Sequence, residues 1–460
     1  MRRALKHVGI AVLCTAIGVS VWLYANNLIL PAKPSEFELT EQVLSSSDVL
    51  QPAEMLEDFG YLVSTIEEVH PDPYSKIGRS EWESRRDTLQ ALLAEPLSAA
   101  EYYIVLSSLV TLVGDAHTIL LFDETDQGLA VTFEWLEEGL AIAEDYGEFQ
   151  KGDLVLGIGD QSPQELLERI EGIVSSENIY RVKDESTRHL RRTPVLEHLG
   201  LIQTDSVLFT VERDDKILEI GAHFEVKLPG LKERSAAMLA GRHNWYVDRE
   251  SNLGVFNLVV CVDDELFRRD VEHFFAAVQE AGIDNVAIDL RQNIGGQSRV
   301  VESFLRHLPI TSYVTYGTTI RYSQQAAERM GMRRTRGTSV FPPSARRIES
   351  VKTPYRGNVF VLIGNRTFSA GNWIAVAFYD NDLGTIIGEP TGNAPSSFGD
   401  MISFQLPSTN FVLGVSYKYF TRPDPSNDPQ DSLSPHVPIN ITRDDLIEGR
   451  DPVIGYIVIG

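Results

Sequence analysis

The chain has 460 residues and a formal net charge of −24, from 41 lysines and arginines against 65 aspartates and glutamates. This length exceeds what one hydrophobic core normally organises, so we expect two or three domains. The acidic balance repels nucleic acid and anionic membrane surfaces and argues against either as the main partner. With only Cys14 and Cys261 present, a disulfide framework and a cysteine-rich zinc site are excluded.

The N-terminus combines a basic start, MRRALKH, with an apolar stretch of roughly the length that spans a bilayer. We therefore expect an extracytoplasmic protein with a signal anchor or signal peptide at residues 1–30. The candidate cleavage point after Ala25 has Leu23 where a small residue is preferred, which favours an uncleaved membrane anchor over secretion. Residues 31–51 are expected to form a polar tether, and membrane contact is expected through the N-terminal segment only.

Residues 52–116 carry apolar positions at three- and four-residue spacing, which predicts a helical N-terminal domain. Between residues 117 and 175, short β-type runs such as TILLF and DLVLGIG alternate with turns and predict a small β module. The sequence SPQE within it predicts a capped helix. Residues 176–250 mix a basic helical stretch with strand-like runs, and we interpret them as a mixed α/β connection.

Residues 251–460 alternate buried-type strands with amphipathic helices, the strand runs being GVFNLVVCV, NVAIDLR, NVFVLIG and TIIGE. Such alternation predicts an α/β fold with a mainly parallel sheet covered by helices on both faces. Active sites in sheets of this kind lie at the carboxyl ends of the strands. Chemically active residues are therefore expected in the segments that follow these strands.

The first such segment is VAIDLRQNIGGQS, residues 286–298, in which Gly295 and Gly296 separate a buried strand from a helix. Two glycines allow the backbone to approach a ligand closely and leave amide N–H groups at a helix start. Such amides can stabilise a developing negative charge. The alternative is a plain strand-to-helix turn.

The second segment is NRTFSAGNW, residues 365–373, in which Ser369 follows a strand and begins a helix. A serine at such a turn projects its hydroxyl above the sheet edge, and the Ala370 amide can serve as a further oxyanion donor. The alternative is a serine that only caps the helix, because serine is a favoured N-cap residue.

A serine nucleophile needs a base, and His117 in GDAHT is the best placed of the ten histidines, at a junction between a helix and a β run. The alternative is a structural histidine bonded to its own loop. We predict no metal site and no cofactor, because the sequence contains neither an HExxH motif nor a paired histidine–carboxylate cluster.

Taken in order, VAIDLRQNIGG, NRTFSAGN and IIGEPTGN resemble the C-terminal-processing, or tail-specific, serine peptidase family, whose catalytic core has the crotonase-like fold. The sequences EEVHPDPY, GDAHT and ITRDDLIEGRDPVIGY are similar to the branch related to tricorn core proteases and interphotoreceptor retinoid-binding proteins. The resemblance extends from about residue 54 to about residue 457. It implies that residues 251–460 form a crotonase-like catalytic core. It also implies that Ser369 is the nucleophile, with Gly295, Gly296 and Ala370 as oxyanion donors.

The best-known members of the family activate serine with a lysine in a GExTxGKG loop, but here that position is Ala394. The tricorn-like branch implies instead that His117 is the general base, oriented by an acidic residue downstream of the serine. Asp428 and Asp431 are the candidates for this acid. Asp380, 11 residues after Ser369, is a third candidate.

The β module occupies the position of a PDZ-like insert in some relatives, although it lacks the glycine–hydrophobic loop that captures a peptide carboxylate.

We expect an extracytoplasmic serine endopeptidase that acts on polypeptide through an acyl-enzyme. One alternative is a catalytically inactive member that binds hydrophobic ligands or peptides in the same cleft. Another, an acyl-CoA enzyme on the same fold, conflicts with the export signal. The sequence does not indicate an oligomeric state.

Overall fold

The computed structural model describes residues 44–123 and 126–459. The predicted anchor at residues 1–30 and most of the predicted tether lie outside these ranges. Within them, no helix combines the length and the apolar character that a bilayer-spanning segment needs.

The described residues contain thirteen α-helices, several with the end signals that the sequence predicts. In the SPQE segment, the Ser162 hydroxyl accepts a hydrogen bond from the Glu165 amide, and the Glu165 carboxylate accepts one from the Ser162 amide, as in a capping box. In chain order the helices are α1 (Pro52–Val69), α2 (Arg79–Ala91), α3 (Ala99–Val110), α4 (Pro163–Glu171), α5 (Ile179–His189), α6 (Thr193–His198), α7 (Leu231–Ala240), α8 (Glu265–Ala281), α9 (Val300–Leu305), α10 (Gln324–Met330), α11 (Ala370–Asp380), α12 (Arg443–Glu448) and α13 (Pro452–Ile459).

The strands of the described residues form three larger sheets and two strand pairs. They are β1 (Val49–Leu50), β2 (Leu97–Ser98), β3 (Ile119–Leu121), β4 (Gln127–Leu129), β5 (Phe133–Trp135), β6 (Leu140–Ile142), β7 (Leu154–Ile158), β8 (Ile202–Gln203), β9 (Ser206–Arg213), β10 (Lys216–Lys227), β11 (His243–Asp248), β12 (Leu253–Leu258), β13 (Asn285–Asp289), β14 (Ser312–Thr315), β15 (Gly317–Tyr322), β16 (Gly337–Phe341), β17 (Ser344–Arg347), β18 (Asn358–Ile363), β19 (Thr385–Gly388), β20 (Ser397–Gln405), β21 (Val412–Thr421) and β22 (Val437–Pro438).

The central sheet has the strand order β11-β12-β13-β18-β19-β22, in which β11 is antiparallel to β12 and the other neighbours are parallel. Apolar side chains of α8, α9 and α11 cover one face, and α13 covers the other. The predicted α/β core with a mainly parallel sheet is therefore confirmed. Because Asp289 of β13 pairs with Leu362 of β18, the segments that follow these strands leave the sheet side by side.

A second, seven-stranded sheet has the order β4-β10-β9-β7-β6-β5, with β8 paired to β9. Its neighbouring strands are antiparallel, and it joins strands of the predicted β module to strands of the predicted α/β connection. The paired strands therefore cross the predicted boundary at residue 175. Strand propensity alone does not identify a strand's partner, because pairing depends on residues far away in the chain.

The third sheet is antiparallel, with the order β16-β15-β21-β20, and β3 pairs with β21. The TILLF run, predicted as part of the β module, therefore belongs to this sheet instead. The N-terminal helices pack on the same sheet: the buried carboxylate of Asp58 in α1 accepts hydrogen bonds from the amides of Ser408 and Thr409, between β20 and β21. The residues just before β3 also contact the segment that follows β18, since the ring of His117 stacks on Phe368.

Candidate active site

A cavity of about 470 Å³ lies where the segments after β13 and β18 meet β20 and β21. Ser369, His117, Gly296 and Ala370 all line it, so the structure brings together four predicted site residues from three distant parts of the chain. Aromatic side chains form part of the wall, namely Tyr316, Trp373, Phe398 and Phe420.

Ser369 has an unusual backbone conformation, with φ 52° and ψ −121°. A positive φ is uncommon for residues with a side chain and marks local strain. Although Ser369 occupies the N-cap position of α11, its side chain makes no capping hydrogen bond. The capping interpretation of this serine therefore lacks the interaction that defines a cap.

Buried hydrogen bonds hold the segment before Ser369 in place. The Thr367 hydroxyl donates to the carbonyl of Leu290 at 2.8 Å, and the Phe368 amide donates to the carbonyl of Asn293 at 2.9 Å. The Ser369 amide donates to Asn393 Oδ1 at 3.0 Å. The strained serine is thus fixed from both sides by neighbouring loops.

Gly295 and Gly296 both have a positive φ, 108° and 125°. A Cβ on Gly295 would lie 2.5 Å from Ser369 Cβ, and one on Gly296 would lie 2.3 Å from the carbonyl oxygen of Cys261. Only glycine fits at both positions, because any side chain would collide with backbone or with the serine itself.

The three predicted oxyanion amides differ in their hydrogen bonding. The Gly295 amide donates to Asn293 Oδ1 at 2.8 Å, so the structure does not leave this predicted donor free for an oxyanion. Among the described residues, no hydrogen-bond acceptor engages the amides of Gly296 and Ala370. Gly295 therefore provides the space beside Ser369, and the other two residues offer the unpaired donors.

His117 lines the cavity, and its ring stacks on that of Phe368 at a centroid distance of 4.4 Å. Its side chain is only 11% exposed, and its Nδ1 is buried with no hydrogen-bond partner among the described residues. Burial lowers the pKa of His117, as does the nearby Arg181, whereas Asp115 and Asp400 raise it. The imidazole is therefore held in its neutral form, which a general base requires.

Asp115 is the carboxylate nearest to His117 Nδ1, with an Oδ1 to Nδ1 distance of 3.9 Å. It is fully buried and accepts hydrogen bonds from the His117 amide, the Thr118 hydroxyl and His70 Nε2. Burial alone would raise the pKa of this carboxyl group. The hydrogen bond and the charge interaction with His70 lower it by more. The pKa of Asp115 therefore lies well below its ordinary value.

Glu177 connects the histidine loop to the nucleophile. Its carboxylate accepts hydrogen bonds from the amides of Ala116, at 3.3 Å, and Ala394, at 3.2 Å, and from Asn393 Nδ2 at 2.8 Å. Burial, together with the charge of Asp115, raises the pKa of Glu177 to about 7. Ala394, at the lysine position of the Ser–Lys branch, is buried and supplies no cation.

The three predicted acids do not contact His117. Asp380 is fully buried in an ion pair with Arg422. Asp431 is exposed. Asp428 Oδ2 accepts a hydrogen bond from the Ser396 hydroxyl at 2.5 Å, while its Oδ1 lies 3.9 Å from Arg422 Nη1 and accepts no hydrogen bond among the described residues. The structure thus places Asp115 and Glu177 near the histidine in place of the predicted acids.

Donor atoms of Asp115, His117 and Glu177 lie within 4.8 Å of one another, a spacing that could hold a metal ion. However, each carboxylate already accepts hydrogen bonds from three donors. We therefore interpret the cluster as a hydrogen-bonded support for the histidine.

Sequence reasoning missed several of these supporting residues. Asp115 belongs to the GDAHT motif and His70 to EEVHPDPY, so these motifs could have identified both as site residues. Asn293 and Asn393 follow strands and could have been suspected for the same reason as the glycines. No sequence signal pointed to Glu177, which lies in a loop between α4 and α5.

The site and the sheet that positions it are those of a serine-type peptidase. Residues 258–439 match the model of peptidase family S41, and they form a domain of that family. The matched range contains both glycines and Ser369, whereas His117 lies outside it. A comparison with curated protein sequences gave no match.

Two solved structures of CPAF share this fold. Mature CPAF superposes with a TM-score of 0.66 at 14% identity, over 88% of this chain and 96% of that chain. Mature CPAF complexed with lactacystin gives 0.65 at 13% identity, over 89% and 97%. The photosystem II D1 C-terminal processing protease gives 0.43 at 13% identity, over 84% and 93%. At these identities, the likeness to CPAF concerns the fold alone.

The Asp380–Arg422 pair leads to a stability prediction. Replacing Asp380→Asn removes the nearest counter-charge of the buried Arg422 guanidinium and leaves only Asp428, at 3.9 Å, so we expect the free energy of unfolding to fall by about 3–5 kcal/mol. The matched control is Asp382→Asn, at an exposed position of positive φ, with an expected change within about 0.5 kcal/mol. Urea unfolding of both variants measures the difference, and equal stability of the two would contradict the structural role.

Proposed function

We propose that this chain is a serine endopeptidase in which Ser369 attacks the peptide carbonyl and His117 is the general base. The observation that carries the proposal is the strained, uncapped Ser369 in one cavity with a neutral, buried histidine and two unpaired amides. Backbone strain clusters at active sites, and preformed N–H donors stabilise the oxyanion that develops in acyl transfer.

In the proposed reaction, Ser369 Oγ bonds to the carbonyl carbon as His117 accepts the hydroxyl proton. The amides of Gly296 and Ala370 then stabilise the oxyanion. Collapse of this intermediate transfers the proton from His117 to the leaving amine and leaves an acyl-enzyme. Water, deprotonated by the same histidine, hydrolyses the acyl-enzyme and restores the serine.

We further propose Asp115, rather than Asp428, Asp431 or Asp380, as the group that stabilises the imidazolium. Its low pKa keeps it ionised, and its charge faces the Nδ1 side of the ring. At 3.9 Å it acts through the electric field in the free enzyme, and the contact can shorten in the substrate complex, as catalytic hydrogen bonds often do.

A second candidate is an inactive family member that binds hydrophobic ligands or peptides in the cavity. Two observations favour it: no hydrogen bond joins His117 to Ser369 among the described residues, and the wall is partly aromatic. Tyr316 stacks on Trp373 at 3.9 Å and Phe420 meets Trp373 edge-on at 5.2 Å. The labelling experiment below separates the two candidates.

For location, our proposal rests on the sequence of residues 1–30 alone. An anchor there would tether the catalytic domain outside the cytoplasm, where polypeptide substrates would reach the cavity from solvent.

We expect Ser369→Ala to abolish hydrolysis of a casein substrate, with a loss of at least about 1000-fold, because the nucleophile is removed. A fluorescent fluorophosphonate should label the unmodified chain and leave the Ser369→Ala variant unlabelled. Ser397→Ala, at another serine of the cavity, is the matched control and should retain labelling. An unmodified chain that neither reacts nor hydrolyses casein would favour the binding function.

The depressed pKa of His117 predicts the pH profile. Protonation inactivates the base, so kcat/KM should fall on the acid side with a midpoint below the ordinary histidine value of 6.5. Asp400→Asn removes a charge that raises this pKa and should move the midpoint to still lower pH. The remote Asp382→Asn should leave it unchanged. A midpoint above 6.5 in the unmodified chain contradicts His117 as the base.

Glu177→Gln tests the link between the two halves of the site. The Glu177 carboxylate accepts hydrogen bonds from three N–H groups, and the glutamine NH₂ group would face at least one of them, donor against donor. The side chain and the loops that it joins should then shift, which should lower kcat by up to about 100-fold with little change in KM. Glu171→Gln, at an exposed position nearby, should have no effect. An unchanged kcat would remove Glu177 from the positioning of the site.

The raised pKa of Glu177 provides a second readout of the same variant. Because the native state binds this proton more tightly than the unfolded state, the stabilising contribution is present below about pH 4.5 and is lost as pH rises through about 7. Urea unfolding at several pH values should show this decline in the unmodified chain and a smaller one in Glu177→Gln.

A further inference from the structure

Residues 333–347, here called the arginine edge, contain five arginines and no acidic residue. The sequence RRTRGTSVFPPSARR stands out in a chain with 24 more negative than positive charges. Most of its residues are exposed. Arg346 pairs with Glu302 at 3.0 Å, whereas Arg333, Arg336 and Arg347 form no ion pair within the described part of the chain.

The arginine edge includes β16, an outermost strand of the five-stranded sheet. β16 pairs with β15 on one side, and no described strand pairs with its other side. An edge of this kind presents backbone N–H and C=O groups to which an extended peptide can add as a further strand. Arg334 already donates to the carbonyls of Arg336 and Thr338, so an added strand would pair with the remaining backbone groups of β16 or displace this side chain.

Charges and prolines commonly protect sheet edges against unwanted pairing, and Pro342 and Pro343 after β16 fit that role. Protection alone does not explain the exposed apolar residues of the strand, Val340 at 69% and Phe341 at 44% exposed. Arginines of one sign repel the same edge of a second copy and attract a strand that carries carboxylates. The combination fits an acidic partner with apolar residues.

The arginine edge lies close to the catalytic cavity. Phe341 of β16 pairs with Thr318 of β15, and Thr318 pairs with Phe420 of β21, whose side chain lines the cavity. Neighbouring strands are about 4.8 Å apart, so two strand spacings amount to about 10 Å. A few residues of extended polypeptide cover this distance, so one chain could occupy both places.

We propose that the arginine edge is an exosite that binds an acidic, extended segment of the polypeptide substrate as an added strand beside β16. This inference rests on the proposed function, because it makes the bound segment part of the substrate. It identifies the substrate class as polypeptides with an acidic, partly apolar stretch near the cleaved bond.

Binding is measured without turnover in the Ser369→Ala variant of the full chain. The probes are two labelled peptides of about ten residues, one with alternating glutamate and valine and one with glutamine in place of glutamate. Fluorescence anisotropy should give a Kd about tenfold lower for the acidic peptide, an advantage that shrinks as salt is added.

The test variant adds Arg333→Ser, Arg336→Ser and Arg347→Ser to Ser369→Ala and should lose the preference for the acidic peptide. The charge-matched control carries Arg79→Ser, Arg85→Ser and Arg269→Ser, at exposed arginines of α2 and α8 that are not part of the arginine edge, and should keep it. Equal loss in both variants, or no preference before substitution, overturns the exosite. An acidic peptide N-methylated at alternate amides should bind at least about tenfold more weakly, and equal binding overturns strand addition.

Cleavage is then compared in the unmodified chain with two substrates that share one cleavable sequence and differ in the acidic or glutamine stretch. A lower KM for the acidic substrate, abolished by the three edge substitutions, supports the exosite as a substrate site. Hydrolysis of both substrates with the same KM overturns that role. If neither substrate nor casein is cleaved, the proposed peptidase function fails, while the binding result still decides whether the edge takes acidic peptide.

Discussion

The approach of Gly295 to Ser369 is the constraint on which the site depends. A Cβ at position 295 would lie 2.5 Å from Ser369 Cβ, so the two segments can meet only because one of them has no side chain. The parallel pairing of β13 with β18 brings them to the same edge of the sheet. Hydrogen bonds from Thr367, Phe368 and Ser369 to the neighbouring loops then hold the serine in its strained conformation.

The base reaches this edge through a different set of contacts. His117 follows the N-terminal helices, which pack on the antiparallel sheet, and β3 directly after it pairs with β21. Glu177 adds the local connection, since it bonds the Ala116 amide on one side and Asn393, the partner of the Ser369 amide, on the other. A site whose halves are more than 200 residues apart in sequence therefore depends on a few buried polar contacts.

Electrostatics in the site follow from burial. Asp115 remains charged because hydrogen bonds and His70 stabilise the carboxylate, whereas Glu177, close to that charge and half-buried, holds its proton up to about pH 7. Two carboxylates within 4.8 Å of each other cannot both ionise easily, and the structure separates their pKa values. The nearby His117 is neutral, as expected of a base that works near neutral pH.

The sequence by itself determined the alternation of strands and helices and the position of the glycines and the serine at strand ends, and it offered His117 as the candidate base. These features are local, since hydrophobic periodicity and glycine placement reflect the backbone at each position. Only the tertiary structure decided which strand β3 pairs with, that the Gly295 amide is already engaged, and that Asp115 and Glu177 approach the histidine while Asp380 is held by Arg422. Those outcomes depend on distances between residues far apart in the chain, and such distances are fixed by packing and hydrogen bonding that no single stretch of sequence contains.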